Sequence, residues 1–358
     1  SPMRRSTTVS RSYAPSTGPR LHVWKRTAAL AVAIALVALP VSVLSADDGR
    51  GPVVTPLAEF GSDDFVTGST IGPDGALYVT DGVAGAVLRI DGSTGDVSPY
   101  ADGLPPKAFP DADIGGPVDV AFAGDTAYVL VTLVSGNLNG EPFGDPEAKN
   151  GLYRIEPDGS NTLVADLGQW SVDHPPEPVI VVDTGVHFAL ETYPNGFLVT
   201  DGHHNRVLRV SENGLIDEVA TFENVVPTGL ETVADDIFVT QLGPIPHIAE
   251  DGKVLALGPN SEAREVASGA SMLIDVERGP NDQLYAVSMG QWDGVGEGSR
   301  ADPDTGRLLV VGPDGDLTPV VDGDGDELVL DRPASVEFVE STGYVVSVTG
   351  VVYRVDGL

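Results

Sequence analysis

One short unit recurs six times along this chain, and the repetition limits the possible fold more than any other feature of the sequence. In the two clearest copies, at 72–90 and 193–210, a Gly-rich turn precedes a β-rich run, a polar loop and a second run of the type Val-Leu-Arg-Val. A unit this short cannot bury its own apolar face, so copies must pack on each other. Six copies built from strands alone predict an all-β fold, a six-bladed β-propeller.

The composition supports strands rather than helices. The chain contains 43 Gly and 28 Pro, and both residue types disfavour helix interiors. Beyond residue 46 we find no long stretch with sustained helical periodicity, whereas short Val/Leu/Tyr runs between Asp-Gly, Asn-Gly and Gly-Pro turns are frequent.

The closure of the ring is also predicted. Third strands are expected at 86–90, 151–155, 206–210, 253–257, 307–311 and 351–355. Five of these are followed by a fourth strand, but the chain ends just after the sixth. The unassigned run 53–60 resembles the fourth strands, and pairing it with 351–355 would remove two exposed sheet edges. We therefore expect the N-terminal strand to close the last blade.

Residues 1–46 have a different character, with six basic residues and no acidic residue. Lys25-Arg26 precedes an apolar run at 27–44, which is the arrangement of a secretory signal. We predict a signal peptide with an N-terminal extension over 1–46, a linker at 47–52 and the propeller over 53–358. The protein is expected to be secreted or extracytoplasmic, without membrane contact after signal removal. An uncleaved anchor is the alternative.

The chain carries a formal net charge of −33 and has no cysteine. This charge disfavours nucleic acid and anionic membranes as partners and favours cations or cationic ligands. The alternative is an acidic surface that only keeps the protein soluble. The absence of cysteine excludes disulfides, thiolate catalysis and thiolate metal sites.

Glutamates recur at one position of the predicted first strands. The four, in consecutive blades, are Glu191, Glu231, Glu277 and Glu337, whereas the first two blades have Ile71 and Ala121 there. Because the innermost strands line the channel of a propeller, these carboxylates are candidate ligands for Ca²⁺ or another divalent cation. The structural alternative is that the glutamates accept hydrogen bonds from backbone amides or pair with the third-strand arginines Arg89, Arg154, Arg209 and Arg354.

The loops between second and third strands are long in blades two, four and five, and all emerge on the same face of the ring. Loops held by a rigid scaffold often carry binding residues. The candidate ligand-binding residues on this loop-rich face are Gln241, His247, Gln291, Trp292 and Asp293. Each could instead serve to pack or shape its loop.

Two histidines are candidate general bases, and one acidic turn is a weaker calcium candidate. His203, beside His204, lies in a short loop of blade three, and His247 follows a stiff Pro-Ile-Pro segment. Turn formation is the structural alternative for these residues. The acidic turn 322–327 begins like an EF-hand but lacks its glycine and its final glutamate, which leaves at most a loose calcium site.

Several motifs resemble the ScyD/ScyE family, namely LDRPASVEF (330–338), PTGLET (227–232), NGFLVTDGHHNRVLRV (195–210) and GLYRIEPDGS (151–160). These are exported six-bladed propellers, related to NHL-repeat and gluconolactonase-like propellers and associated with genes for the extracellular pigment scytonemin. The resemblance covers about 60–358 and implies the fold and export, but no particular reaction. Asn205 and Asp201 suit the metal pattern of gluconolactonase-like propellers, whereas Ile71 stands where that pattern requires an acid.

Two functions follow from these observations. The first is a ligand-binding or assembly module that holds a small molecule or partner protein on the loop-rich face, with a possible link to secondary-metabolite chemistry. The alternative is a metal-dependent hydrolase, lactonase or lyase with a divalent cation at the channel mouth and His203 or His247 as general base. The sequence contains no mutually consistent catalytic set, which favours the first hypothesis.

Overall fold

The computed structural model describes residues 51–358, except 62, 245–246, 249, 259–260 and 293–300. The predicted signal segment and most of the predicted linker lie outside the described residues. In the described part, the strands form six antiparallel four-stranded sheets and one small two-stranded sheet. Consecutive innermost strands contact each other around a ring, and the last contacts the first. The predicted six-bladed propeller is therefore confirmed.

The first three blades run in chain order from the channel outward. Blade 1 contains β2 (Val66–Ile71), β3 (Leu77–Asp81), β4 (Ala86–Ile90) and β5 (Val97–Ala101). Blade 2 contains β6 (Gly116–Ala123), β7 (Thr126–Thr132), β10 (Gly151–Ile155) and β11 (Asn161–Asp166), and its long loop forms the hairpin β8 (Ser135–Leu138) and β9 (Glu141–Gly144). Blade 3 contains β12 (His187–Tyr193), β13 (Gly196–Asp201), β14 (Arg206–Ser211) and β15 (Ile216–Thr221).

The other three blades repeat this order. Blade 4 contains β16 (Pro227–Val233), β17 (Asp236–Gln241), β18 (Gly252–Leu257) and β19 (Ala263–Ala270). Blade 5 contains β20 (Leu273–Arg278), β21 (Leu284–Ser288), β22 (Arg307–Val311) and β23 (Leu317–Pro319), with a short 3₁₀ turn at Pro280–Asp282. Blade 6 contains β24 (Pro333–Val339), β25 (Thr342–Ser347), β26 (Val351–Asp356) and, from the other end of the chain, β1 (Val53–Glu59).

The ring closes as the sequence predicted. β1 pairs antiparallel with β26, from Val53 opposite Asp356 to Glu59 opposite Val351. The register shifts once, between Pro56 and Ala58, where the proline cannot donate a ladder hydrogen bond. Both edges that would otherwise be open are paired with each other in this way.

The core lies between the blades, on both faces of the second strands. β3 and β13 are buried at every residue, because each is covered by a neighbouring blade on either side. Phe197, for example, is fully buried and packs on Tyr128 of blade 2, with ring centroids 4.5 Å apart. A buried aromatic or aliphatic side chain contributes about 1.5–3 kcal/mol, so these interfaces hold the ring together.

One short helix, α1 (Leu167–Asp173), follows blade 2, and the sequence analysis did not predict it. The Asp166 carboxylate accepts a hydrogen bond from the amide of Gln169 at 2.8 Å and caps its N-terminus. Seven residues are too few for a stable isolated helix, and buried Leu167 and Ser171 hold it on the propeller. None of the described helices is long and apolar enough to cross a bilayer.

Candidate functional site

The four recurrent glutamates occupy equivalent positions in the structure. Each lies opposite a large apolar or aromatic residue of its second strand, which we call the anchor of the blade. The pairs are Glu191–Leu198, Glu231–Phe238, Glu277–Tyr285 and Glu337–Tyr344. In blade 2 the same place is taken by Ala121, opposite Tyr128.

The assignment of Ile71 to this position in blade 1 was wrong. The residue opposite the anchor Tyr78 is Thr70, whereas Ile71 pairs with Leu77. The turn between β2 and β3 contains one residue more than the register of Glu191 with Leu198 would predict. Counting back from the anchor therefore gives the wrong residue, and the glutamate-equivalent position of blade 1 is Thr70, although both Thr70 and Ile71 line the channel.

A cavity of about 240 Å³ lies on the channel axis at this level. Five carboxylates line it, from Asp119, Glu191, Asp275, Glu277 and Glu337. The other lining residues are small, hydroxyl-bearing or apolar, and none of the lining residues is a lysine, arginine or histidine. The cavity is thus strongly acidic and has no basic side chain in its wall.

Two of these carboxylates, Asp119 and Asp275, were missed by the sequence analysis. Each precedes the glutamate position of its blade by two residues. The two blades, 2 and 5, lie opposite each other in the ring of six blades. The Asp119 carboxylate accepts hydrogen bonds from the amides of Val120 and Leu190, and the second of these belongs to blade 3. The recurrence of Asp-Val at 119–120 and 275–276, three blades apart, is the signal that could have revealed the pair.

The surroundings of the two aspartates repeat as well. A β-carbon on Gly68 would collide with the Asp119 carboxylate, and one on Gly229 would lie 2.5 Å from the Cα of Asp275. The Gly229 amide donates to the Thr240 hydroxyl of β17, and the Gly68 amide donates in the same way to the Thr80 hydroxyl of β3. Glycine is therefore needed at both positions for the close approach of the next blade. The channel wall follows a three-blade repeat.

The hypothesis that third-strand arginines neutralise the glutamates was wrong. Arg89 pairs with Asp74 at 2.7 Å, Arg154 pairs with Glu156 at 2.7 Å, and Arg354 pairs with Asp356 at 2.9 Å. Arg209 donates to the Pro194 carbonyl and lies over the Tyr193 ring. These arginines lie in the outer third strands of the blades, too far out to reach the axis.

The glutamates receive only neutral hydrogen bonds. Glu191 Oε1 accepts from the hydroxyls of Thr192 and Thr232 at 3.2 and 3.1 Å. Glu231 Oε2 accepts from the amide of Arg278 at 2.8 Å. These contacts orient two of the four side chains but supply no positive charge.

Burial controls the protonation of the cavity. It raises the pKa of Glu191 to about 8 and the pKa of Asp275 to about 7. Burial, reinforced by the neighbouring carboxylates, also raises the pKa of Asp119, Glu277 and Glu337 well above the ordinary range. In the absence of a cation, protons therefore limit the repulsion among these groups near neutral pH.

Phe188 closes the cavity on the side of the loop-rich face. This side chain lines the cavity and packs against apolar clusters of blades 2–3, 3–4 and 5–6. It precedes Glu191 by three residues on β12, which is about 10 Å of strand towards the loop-rich end. The glutamates lie nearer the opposite face, where short turns join first and second strands, whereas Asp119 and Asp275 lie two residues closer to the level of Phe188.

The candidate residues of the loop-rich face lie on blades 4 and 5. The His247 ring packs edge-on against Trp292, with centroids 5.5 Å apart, so the two long loops meet there. Gln241 is buried at the end of β17. Gln291 is exposed, and its backbone amide donates to the Thr305 hydroxyl. Asp293 lies outside the described residues.

A buried polar cluster in blade 3 was only partly anticipated. It contains His187, Asp201, His204 and Arg206. The Asp201 Oδ2 lies 3.3 Å from Arg206 Nε, 3.3 Å from His204 Nδ1 and 3.9 Å from His187 Nε2. Asp201 thus joins three basic side chains in the interior.

The protonation of this cluster follows from its contacts. His204 Nε2 faces the Val182 carbonyl at 2.8 Å, and because a carbonyl only accepts, this nitrogen carries a hydrogen. Burial alone would raise the pKa of Asp201, but the contacts with His204, His187 and Arg206 bring it below its usual range. Burial lowers the pKa of His187 to about 4, so this imidazole is neutral at pH 7.

His203 and His204 line a second cavity, of about 510 Å³, on the loop-rich side of blade 3. Its other walls come from the segment 176–181 and from 222–224, at the passage to blade 4. Four residues of strand separate His187 from Glu191, a distance of about 13 Å. The structure therefore does not bring the candidate bases and the axial carboxylates together in one site.

The acidic turn 322–327 is largely exposed, and its last residue, Glu327, pairs with Arg307 at 2.7 Å. The Asp322 carboxylate accepts from the amides of Asp324 and Asp326 at 2.9 and 3.0 Å. Across the described part of the chain, no group of three or more histidine, aspartate or glutamate side chains is arranged to hold a metal ion directly.

Comparison with protein-family models and with curated proteins gives no match for this sequence. Among solved structures, the fold is similar to virginiamycin B lyase from Staphylococcus aureus, with 12% identity, a TM-score of 0.51, and coverage of 86% of this chain and 100% of that chain. It is also similar to a gluconolactonase from Xanthomonas campestris (13% identity, TM-score 0.55, coverage 85% and 89%). A third similar structure is the PQQ-bound aldose sugar dehydrogenase from Streptomyces coelicolor (12% identity, TM-score 0.54, coverage 85% and 98%). Similarity at this level of identity establishes the propeller fold and assigns no residue a role.

Proposed function

We propose that this protein is an exported ligand-binding propeller, of the kind found in the ScyD/ScyE family, and that its axial cavity binds a cation. The observation that carries the proposal is the wall of the cavity. Five carboxylates face about 240 Å³ of space, and no lysine, arginine or histidine lines it. A cation placed there would replace the protons that otherwise hold these groups neutral.

Glu277 and Glu337 are the residues best placed to receive the charge. Both line the cavity from adjacent blades, and burial together with neighbouring carboxylates raises the pKa of each. In contrast, the Glu191 carboxylate is already oriented by two hydroxyls. We therefore expect the cation to lie on the side of blades 5 and 6.

Carboxylate oxygens suit hard cations such as Ca²⁺. Because the described residues hold no ready trio of ligands, a divalent ion would keep part of its water shell. The volume of the cavity corresponds to about eight water molecules at the density of the liquid, which leaves room for such a hydrated ion. What the cation would supply is neutralisation of the buried charge and a fixed positive centre on the axis.

The alternative, metal-assisted hydrolysis or lyase chemistry, is supported by the similarity in fold to a lactonase and a lyase. It requires a general base within reach of the cation. Neither candidate base, His203 or His247, is among the residues that line the axial cavity. For this reason we favour binding over catalysis as the role of the axial cavity.

Thermal unfolding at pH 8 with calcium, with magnesium and with a chelator tests the proposal. A cation at 100 times its Kd should stabilise the wild type by about 2.7 kcal/mol. The double variant E277Q/E337Q should lose this stabilisation while folding normally, since it removes charge without changing shape. E212Q, at an exposed turn, is the matched control. A wild type insensitive to both cations, or a double variant that responds equally, would contradict the proposal.

A further inference from the structure

The cavity on blade 3 is separate from the axial one and has the character of a small-molecule site. Its volume of about 510 Å³ lies in the range of ligand-binding cavities. The apolar part of its wall comes from Pro176, Pro178, Ile180 and Val181 on one side and Phe222 on the other. Two apolar surfaces therefore face each other across a space large enough for a ring.

The walls of this cavity are held in place by the buried polar cluster. His204 binds the Val182 carbonyl, and Arg206 donates to the His174 carbonyl at 2.8 Å and to the Ser171 hydroxyl at 3.1 Å. The Asn205 side chain accepts from the amides of Val225 and Val226, both at 2.9 Å. The three chain segments that form the cavity are thus fixed before any ligand arrives, which lowers the entropy cost of binding.

The polar groups of the wall indicate the charge of the ligand. Glu177 and Glu223 line the cavity together with His203, and no lysine or arginine does. An anionic ligand would be repelled, whereas a neutral or positively charged ligand would not. The apolar residue Val181 is 47% exposed beside the cavity, and Val179 is 77% exposed. Apolar side chains left in water next to a cavity are typical of a binding surface.

We propose that this cavity binds a small molecule with a flat apolar body and a neutral or cationic polar group. The apolar body would lie between Val181 and Phe222, with the polar group towards Glu177 and Glu223. This site is independent of the axial cation, because its walls share no residue with the axial cavity.

Titration calorimetry with three molecules of one shape tests the inference: phenethylamine, 2-phenylethanol and phenylacetate. We expect the amine to bind most tightly, the alcohol more weakly, and the acid not at all. E223K should weaken amine binding about fivefold, as expected for reversal of one exposed charge. V181D should abolish binding of the neutral alcohol, and its exposed position makes unfolding an unlikely cost of the change.

Two controls separate this site from the axial one. E212K makes the same charge change on the opposite face and should leave amine affinity unchanged. Amine binding should persist in E277Q/E337Q, and loss of binding there would place the amine in the axial cavity and overturn the inference. The inference also fails if neither the amine nor the alcohol binds at millimolar concentration, or if V181D and E223K bind both as the wild type does.

Discussion

The raised pKa of Glu191 gives a quantitative prediction for the dependence of stability on pH. Its pKa is about 8 in the folded state, against 4.5 for the exposed side chain, so the folded state holds a proton that the unfolded state loses in this interval. Stability therefore falls as pH rises from about 4.5 to 8 and becomes level above that. Each pH unit corresponds to about 1.4 kcal/mol for one such group.

The interval between pH 6.5 and 8 avoids the titration of His187, and comparison with a variant at position 191 separates Glu191 from Asp275, whose pKa of about 7 acts with the same sign. Below 6.5 the buried His187 titrates with the opposite sign, since its folded pKa is about 4. Across the chosen interval, Glu191 should contribute a loss of about 1.6 kcal/mol, given about 1.4 kcal/mol per unit and partial ionisation near its own pKa. The variant E191Q keeps an oxygen that accepts from Thr192 and Thr232, but it cannot ionise.

The assay is urea unfolding of wild type and E191Q at pH 6.5, 7.25 and 8, without divalent cations. The difference in unfolding free energy between the two proteins should change by about 1.6 kcal/mol in favour of E191Q as pH rises. E212Q, exposed on a turn, should follow the wild type at every pH. Parallel curves for wild type and E191Q would show that burial does not hold this proton, and would refute the electrostatic account of the cavity.

Two further predictions concern the interior. Because burial lowers the pKa of His187 to about 4, the stability of the wild type relative to H187L should fall by about 3 kcal/mol between pH 6.5 and 4; an unchanged difference between the two proteins in urea unfolding would contradict this. A β-carbon on Gly229 would lie 2.5 Å from Asp275, so G229A should cost about 2 kcal/mol or more, whereas G258A, with open space around it, should cost under about 1 kcal/mol. Thermal unfolding that ranks the two glycine variants the other way would show that the channel wall is not closely packed.

The propeller itself was predictable because its determinants are local and repeated. The anchors Tyr78 and Tyr344, the turns before them and the unpaired run at 53–60 each indicate the same four-stranded unit, and β1 pairs with β26 as this pattern requires. Burial on both faces of every second strand forces nearly continuous apolar runs, which are easy to recognise. The glutamate position in four blades follows from the same repeat.

The sites were less predictable because they depend on contacts between distant blades. An extra residue in one turn moved the glutamate-equivalent position from Ile71 to Thr70. Asp119 contacts Leu190, 71 residues away, and no local pattern gives that pairing. Pro178 and Phe222 line one cavity because buried Arg206 holds the segment after α1 through the His174 carbonyl, and a single sequence contains no sign of this arrangement.

The central claim is that the axial carboxylates hold a cation, and equilibrium dialysis against calcium measures this directly. At pH 8 the wild type should retain about one calcium ion per chain, and at pH 5, where protons occupy the cavity, it should retain none. D322N should behave as the wild type, because its turn is exposed and separate from the axis. Retention that is absent at pH 8, or that is unchanged in E277Q/E337Q, would contradict the account.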